Sequence, residues 1–144
     1  MTAFKKPGQP EIIGFLCHWC AYEAADAAGR SQKAYPANLK IIRVMCSGRV
    51  DPGLILEAFH QGAGGVVVMA CRRGECHYKT GNIQALKRHV LLTATLKAMG
   101  IETDRLRLEW ISAGDKDKFV QVALEMTENL QNSEPWGTDE SVDC

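Results

Sequence analysis

Three apolar runs in this chain each lead to a cysteine. EIIGFL (11–16) enters Cys17, LKIIRVM (39–45) enters Cys46, and VVVM (66–69) leads through Ala70 to Cys71. The runs are short, largely aliphatic and closed by polar or turn-forming residues, which is the pattern of buried strands. Helical segments separate them. AYEAADAAGR (21–30) is Ala-rich, with Gly29 as its expected stop. Asp51 and Pro52 open a second helix, since Asp51 can accept from free N–H groups and Pro52 at the first position loses no bond. That helix continues through LILEAFHQ to the glycines at 62, 64 and 65.

A third helix is expected from about Asn82 to Met99, ended by Gly100, with Ile83, Leu86, Val90, Leu91 and Ala94 as its buried face. Arg105 to Ile111 alternates, setting Leu106, Leu108 and Trp110 against Arg105, Arg107 and Glu109, as in a half-exposed edge strand. Phe119, Val122, Ala123, Met126 and Leu130 form the stripe of a last helix. Strands alternating with helices imply a parallel sheet with right-handed crossovers. The expected fold is α/β: a small three-layer sandwich, flavodoxin-like, whose four-stranded parallel sheet has the order 2-1-3-4. Its first three strands are the most apolar and should be the most buried.

The 144 residues suit one core. No apolar run approaches the ~20 residues that span a bilayer, and MTAFKKPGQP lacks an apolar signal core. These features predict a cytoplasmic protein with a flexible arm (1–10), one domain (11–131) and a disordered acidic tail (132–144).

The six cysteines then have a different meaning from a secreted disulfide framework, because the cytosol keeps thiols reduced. Cys17 and Cys20 follow the first strand, Cys46 ends the second, and Cys71 and Cys76 follow the third. In the order 2-1-3 those strand ends are neighbours, ~5 Å from strand to strand. Five thiols thus converge on the carboxyl edge of the sheet, where α/β folds bind ligands. Cys144, alone in the tail, stands apart. A single C-x2-C or C-x4-C could be no more than packing; their convergence points to a metal or redox site.

Three chemistries suit such a set. Four thiolates make a closed structural zinc site, or hold a [2Fe–2S] or [4Fe–4S] cluster, and a C-x2-C dithiol can exchange disulfides. An α/β domain that can fold without a zinc staple favours iron–sulfur. So do His18, Trp19, His77 and Tyr78, which set polarisable rings and N–H donors around the thiols. His18 and His77 are read as neighbours in preference to ligands, and His60 and His89 as structural. Ser47, Gly48 and Arg49 follow a strand, but no G-x-S-x-G, Walker or dinucleotide glycine pattern occurs. They are expected to shape the loop at Cys46, with Arg49 offsetting thiolate charge.

Net charge is zero but uneven. The 132–144 segment holds Glu134, Asp139, Glu140 and Asp143 and no Lys or Arg, while eight basic and three acidic residues lie between Arg72 and Arg107. The bland reading of the latter is a solvated face; the alternative is a docking surface for an acidic protein. Nothing resembles a nucleic-acid module.

CHWCAYEAADAAG (17–29), YP (35–36), CSGRVDP (46–52), ACRRGECHYKTGN (70–82) and LEWISA (108–113) together resemble one family, the delta subunit of methyl-viologen-reducing hydrogenase. The resemblance runs from about residue 11 to 130. It implies a [2Fe–2S] cluster and no catalysis by such a chain alone. It also implies a relay between an electron-donating hydrogenase or dehydrogenase and the flavin-containing A subunit of a heterodisulfide-reductase-like complex, which can bifurcate electrons. Members of the family also accompany formate dehydrogenases, methylenetetrahydrofolate reductases and benzoyl-CoA reductase complexes of anaerobes. The expected ligands are Cys17, Cys20, Cys71 and Cys76, with Cys46 as a fifth candidate. Two departures stand at the site: Ala70-Cys71-Arg72 replaces the usual Gly-Cys-His, and Glu75 replaces Asp. Arg72 and Arg73 would raise a cluster's potential if they point towards it, or mark the surface that meets the partner.

Overall fold

The computed structural model describes residues 11–32, 35, 38–72, 74, 76 and 78–131. The arm 1–10, the tail 132–144 with Cys144, and Arg73, Glu75 and His77 lie outside the described residues. Four parallel strands form one sheet in the order β2-β1-β3-β4. They are β1 (Ile12–Cys17), β2 (Leu39–Val44), β3 (Gly65–Ala70) and β4 (Leu106–Trp110). The helices are α1 (Ala21–Arg30), α2 (Pro52–His60), α3 (Gly81–Ala98) and α4 (Lys116–Gln131). The expected α/β architecture and strand order are those of the molecule.

Register brings the carboxyl ends of the inner strands level. Cys17 pairs with Val44 of β2, and Leu16 with Met69 of β3. β3 is buried at every position and β1 at all but Ile13. Two apolar clusters cover the sheet. Ile12, Leu16, Val67 and Met69 pack with α1 and the Phe119, Val122, Ala123, Met126 and Leu130 stripe of α4. Phe15, Val66, Val68 and Leu106 pack with Ile55 and Phe59 of α2 and Leu92 and Leu96 of α3.

Asp51 accepts from Gly53 N at 3.2 Å, with Pro52 at the helix start, as its sequence predicts. Gly62 and Gly100 take the left-handed backbone that suits helix ends, φ 99° and 81°. Among the described residues no helix is long and apolar enough to cross a membrane.

Four expectations change. β2 is not a buried strand: only Leu39 is fully covered, because β2 lies at the open edge. Helix α1 passes through Gly29 and ends at Arg30, and Gln32, two residues beyond that end, takes φ 58°. Arg105 precedes β4 in a short 3-10 turn and is 2% exposed, its Nη1 donating to Gly64 O at 3.0 Å. The Gly64 carbonyl, 41 residues away, claims the guanidinium that alternation alone would point to water. Lastly, α3 buries Asn82, Ala85, Leu92 and Leu96, while Val90 and Leu91 are each 63% exposed. The expected apolar face of α3 looks outward.

Candidate metal centre

The loops after β1 and β3 bring three thiols together. Cys71 Sγ lies 2.7 Å from Cys20 Sγ and 3.5 Å from Cys17 Sγ. All three sulfurs fall within 4.8 Å of one another and all three residues are buried. A tetrahedral ion with metal–sulfur bonds of about 2.3 Å sets its sulfurs about 3.8 Å apart; Cys17 and Cys71 stand near that span, and Cys20 and Cys71 would open by about 1 Å to hold such an ion. Cys17 closes β1, a bonded turn from Cys20 N to Cys17 O (3.3 Å) folds Cys20 back, and α1 begins at the next residue. Cys71 is fixed from the other side. Asn82, 1% exposed, donates through Nδ2 to both Cys71 O and Arg72 O at 3.0 Å.

The other two thiols meet at the start of α3. A Cβ built on Gly81 would stand 2.0 Å from Cys46 Sγ and 3.3 Å from Cys76 Sγ. The bare Cα therefore makes the space these sulfurs occupy. Gly48 approaches the same point: its Cβ would stand 2.9 Å from Gly81 Cα. Glycine is needed at both positions for the close backbone approach. The Ser47–Arg49 turn is clipped from α3 by Arg88, whose Nη1 donates to Gly48 O and, at 3.2 Å, to Val50 O. Gly48 N donates to Cys46 Sγ at 3.4 Å. An open cavity of about 350 Å³ lies beside Cys46, bordered by Met45, Arg49, Tyr78, Thr80 and Gln84.

Electrostatics favour one sulfur as the anion. Thiol hydrogen bonds from Cys20 and Cys71 pull Cys17 down to about 2, helped by the backbone N–H groups of Trp19 and Ser47. The same interactions hold the other two as thiols. Hydrogen bonding to Cys17 pushes Cys71 up to about 12, and hydrogen bonds to Cys17 and then Cys71 push Cys20 up. Burial raises Cys46, with Cys76 and Cys17 adding repulsion. A cation held here would displace the thiol protons. The start of α3 also turns the positive end of its dipole towards Cys46 and Cys76.

Of the expected ligands, Cys17, Cys20 and Cys71 stand together, whereas Cys76 keeps company with Cys46 at Gly81. The expected ring donors are less engaged than the backbone. Trp19 contacts Cys17 through its backbone N–H, while its ring meets His18 edge-on at 5.0 Å and the residue is 40% exposed. Tyr78 is 50% exposed. Arg72 is already neutralised, its Nη2 2.5 Å from Asp115 Oδ2. The sequence reading missed Asn82, Gly81 and Arg88. A polar residue and a glycine opening a helix just after a cysteine pair were the available signals.

The donor set and the glycine cradle fit a thiolate-held metal centre. Comparison with known proteins agrees. The model of the family described as methyl-viologen-reducing hydrogenase, delta subunit, matches residues 12–133. The D iron-sulfur subunit of the F420-non-reducing hydrogenase from Archaeoglobus profundus is 46% identical over 89% of this chain and 93% of its own length. The D iron-sulfur subunit of the vhc hydrogenase from Methanococcus voltae, also F420-non-reducing, is 47% identical over 81% of this chain and 80% of its own. The A subunit of the ferredoxin:CoB-CoM heterodisulfide reductase from Methanosarcina mazei is 42% identical over 90% of this chain, but over only 16% of its own length. There the matching unit is one segment of a much longer polypeptide. On these matches and this thiol geometry, the chain belongs to the methyl-viologen-reducing hydrogenase delta-subunit family.

Proposed function

We propose that this chain is a non-catalytic electron-transfer subunit. It holds a [2Fe–2S] cluster and relays electrons between a hydrogenase- or dehydrogenase-type module and the flavin-containing A subunit of a heterodisulfide-reductase-like complex in the cytoplasm. The observation that carries this reading is the thiol constellation: Cys17, Cys20 and Cys71 within 4.8 Å, with Cys46 and Cys76 at Gly81. The names of the relatives support it.

Cys17, Cys20, Cys71 and Cys76 are the proposed ligands, and Cys46 is the alternative fourth. A bound cluster supplies one-electron exchange; the residues of this chain bind it and keep water away. The N–H groups of Trp19 and Ser47 stabilise negative charge on the Cys17 sulfur. Asn82 fixes the backbone that carries Cys71. Residues 11–131 are the working unit, between an N-terminal arm and an acidic tail.

The test is anaerobic purification, with a visible spectrum, EPR after dithionite reduction, and iron and sulfide counts per chain. Brown protein with about two irons and two sulfides is expected for thiolate-held [2Fe–2S]. Colourless protein with one zinc per chain would replace the relay with a bridging scaffold. Metal-free protein that turns over a disulfide through Cys17 and Cys20 would make it a dithiol oxidoreductase. Serine substitutions at Cys46 and Cys76, compared by iron retention, identify the fourth ligand.

A further inference from the structure

Helix α3 turns an apolar face to solvent. Val90 and Leu91 are each 63% exposed and Met99 61%, with Ala94 and Ala98 open beside them and Ile83 half-covered. Lys87 and Lys97 stand in the same stripe, both exposed, and no Asp or Glu occurs between Gly81 and Ala98. The inner face meanwhile holds Asn82, tied to Cys71, and Arg88 reaches from its flank to the Ser47–Arg49 turn. The helix therefore gives polar residues to the site and apolar ones to water. An exposed apolar stripe of this kind marks an interaction surface.

Several cations elsewhere among the described residues are paired. Arg72 pairs with Asp115, Arg107 with Glu109 and Glu125, Lys40 with Glu11, and Arg30 with Asp26. Lys87 and Lys97 have no carboxylate partner among the described residues, and Arg49 and Lys79, exposed near the Cys46 end of α3, have none there either. Within the basic stretch from Arg72 to Arg107, the outer face of α3 is a helix surface that is both apolar and positive.

We infer that the outer face of α3 is the docking surface for an apolar, carboxylate-edged surface of the A-type subunit, an inference that rests on the relay reading. Pairing of two copies through this face would set Lys87 and Lys97 against their equivalents, since a two-fold interface brings the same patch to itself. No carboxylate on the helix would offset that repulsion. In the Methanosarcina mazei relative, the matching unit is part of the same polypeptide as the heterodisulfide reductase A subunit, which singles out that protein as the partner. Position also suits the task. A partner seated along Ile83 to Ala98 comes within one helical turn, about 5 Å, of Gly81 and the thiols it touches.

The experiment uses anaerobically purified full-length chain and the purified A-type subunit of the same organism. Binding is followed by calorimetry at two salt concentrations, and iron content is measured on every sample. Val90→Glu with Leu91→Glu should weaken binding about tenfold or more, as loss of central apolar contacts does. Lys87→Glu with Lys97→Glu should slow association and flatten its salt dependence. Leu124→Glu, on the opposite side of the sheet and 50% exposed, should change nothing. All variants should retain the iron of the unaltered chain.

Normal binding by both α3 variants overturns the inference. So does an effect of Leu124→Glu equal to theirs. A dimer of the unaltered chain that Val90→Glu and Leu91→Glu dissolve assigns the face to a second copy, and a tenfold gain in binding on removing 132–144 assigns it to the chain's own acidic tail; either refutes it. Iron-free protein that still binds through α3 defeats the relay reading alone. Iron-loaded protein whose α3 variants bind normally defeats the docking inference alone.

Discussion

Helices α3 and α4 both carry an apolar stripe and use it in opposite ways. In α4 the stripe Phe119, Val122, Ala123, Met126 and Leu130 lies buried on the sheet. In α3 the stripe faces out, and the sheet side is built on Asn82, Ala85, Leu92 and Leu96. The difference follows from where each helix begins. Helix α4 starts after the edge strand, so it packs where hydrophobicity directs it. The first residue of α3 is pressed against Cys46 and Cys76, and its rotation is fixed by Gly81, Asn82 and Arg88 before any apolar residue has a say.

That contrast is sharpest in paired substitutions. Phe119→Ala should cost about 3–5 kcal/mol, the usual penalty for emptying a fully buried aromatic site. Its edge-on contact with Tyr35, at 5.3 Å, is lost as well. Leu91→Ala should change stability by less than about 0.5 kcal/mol, as exposed substitutions do. Chemical denaturation of the two variants checks both. Equal losses would mean that the α3 stripe is covered.

Gly81→Ala comes next. In an ordinary helix, alanine in place of glycine gains up to about 1 kcal/mol. Here the new Cβ would stand 2.0 Å from Cys46 Sγ, so the sign should reverse, with a loss of about 1–3 kcal/mol as in overpacked cores. Iron retention should fall with it. A stabilised, iron-replete variant would show that α3 can rotate away from the thiols, and contact at Gly81 would no longer account for its outward face.

Most of the fold was legible because strand runs and their closing cysteines are local patterns, and a parallel sheet of few strands offers few orders. The face of α3 was not legible. Periodicity reports which residues are apolar, whereas the site imposes rotation through a glycine contact and hydrogen bonds to distant carbonyls. Arg105 misled for a related reason: its acceptor, Gly64 O, is 41 residues away. Within the site, spacing paired Cys71 with Cys76. The Gly74 turn, φ 83°, and the left-handed Lys79, φ 71°, shape the loop that carries Cys76 to Cys46.

Two smaller effects refine the comparison. Arg88→Met keeps the length of the side chain but removes its bonds to Gly48 O and Val50 O. A loss of about 1–2 kcal/mol is expected for such a charged donor, with faster iron release on chelator challenge. Unchanged release would separate the clip from the thiols. Asp115 gives a still smaller effect, with a pH signature. The Ser112 N–H, followed by the Arg72 guanidinium, holds its carboxyl below the ordinary carboxylate range. A depressed folded value means the contribution is full above the unfolded value of about 3.9 and is lost as pH falls through the folded one. Asp115→Asn should therefore lower the melting temperature at pH 7, and the gap should close as pH falls through the depressed folded value. A gap that persists in acid would assign the effect to packing.

The trio of thiols also has a topological consequence. Cys17 and Cys71 are 54 positions apart, so any group that bridges them closes a large covalent ring through α1, β2, α2 and β3. Closing a ring of that size takes about 4 kcal/mol of chain entropy from the unfolded state. A metal centre held by these thiols would act as a cross-link of this small protein, and its release would lengthen the free chain by the whole ring in one step.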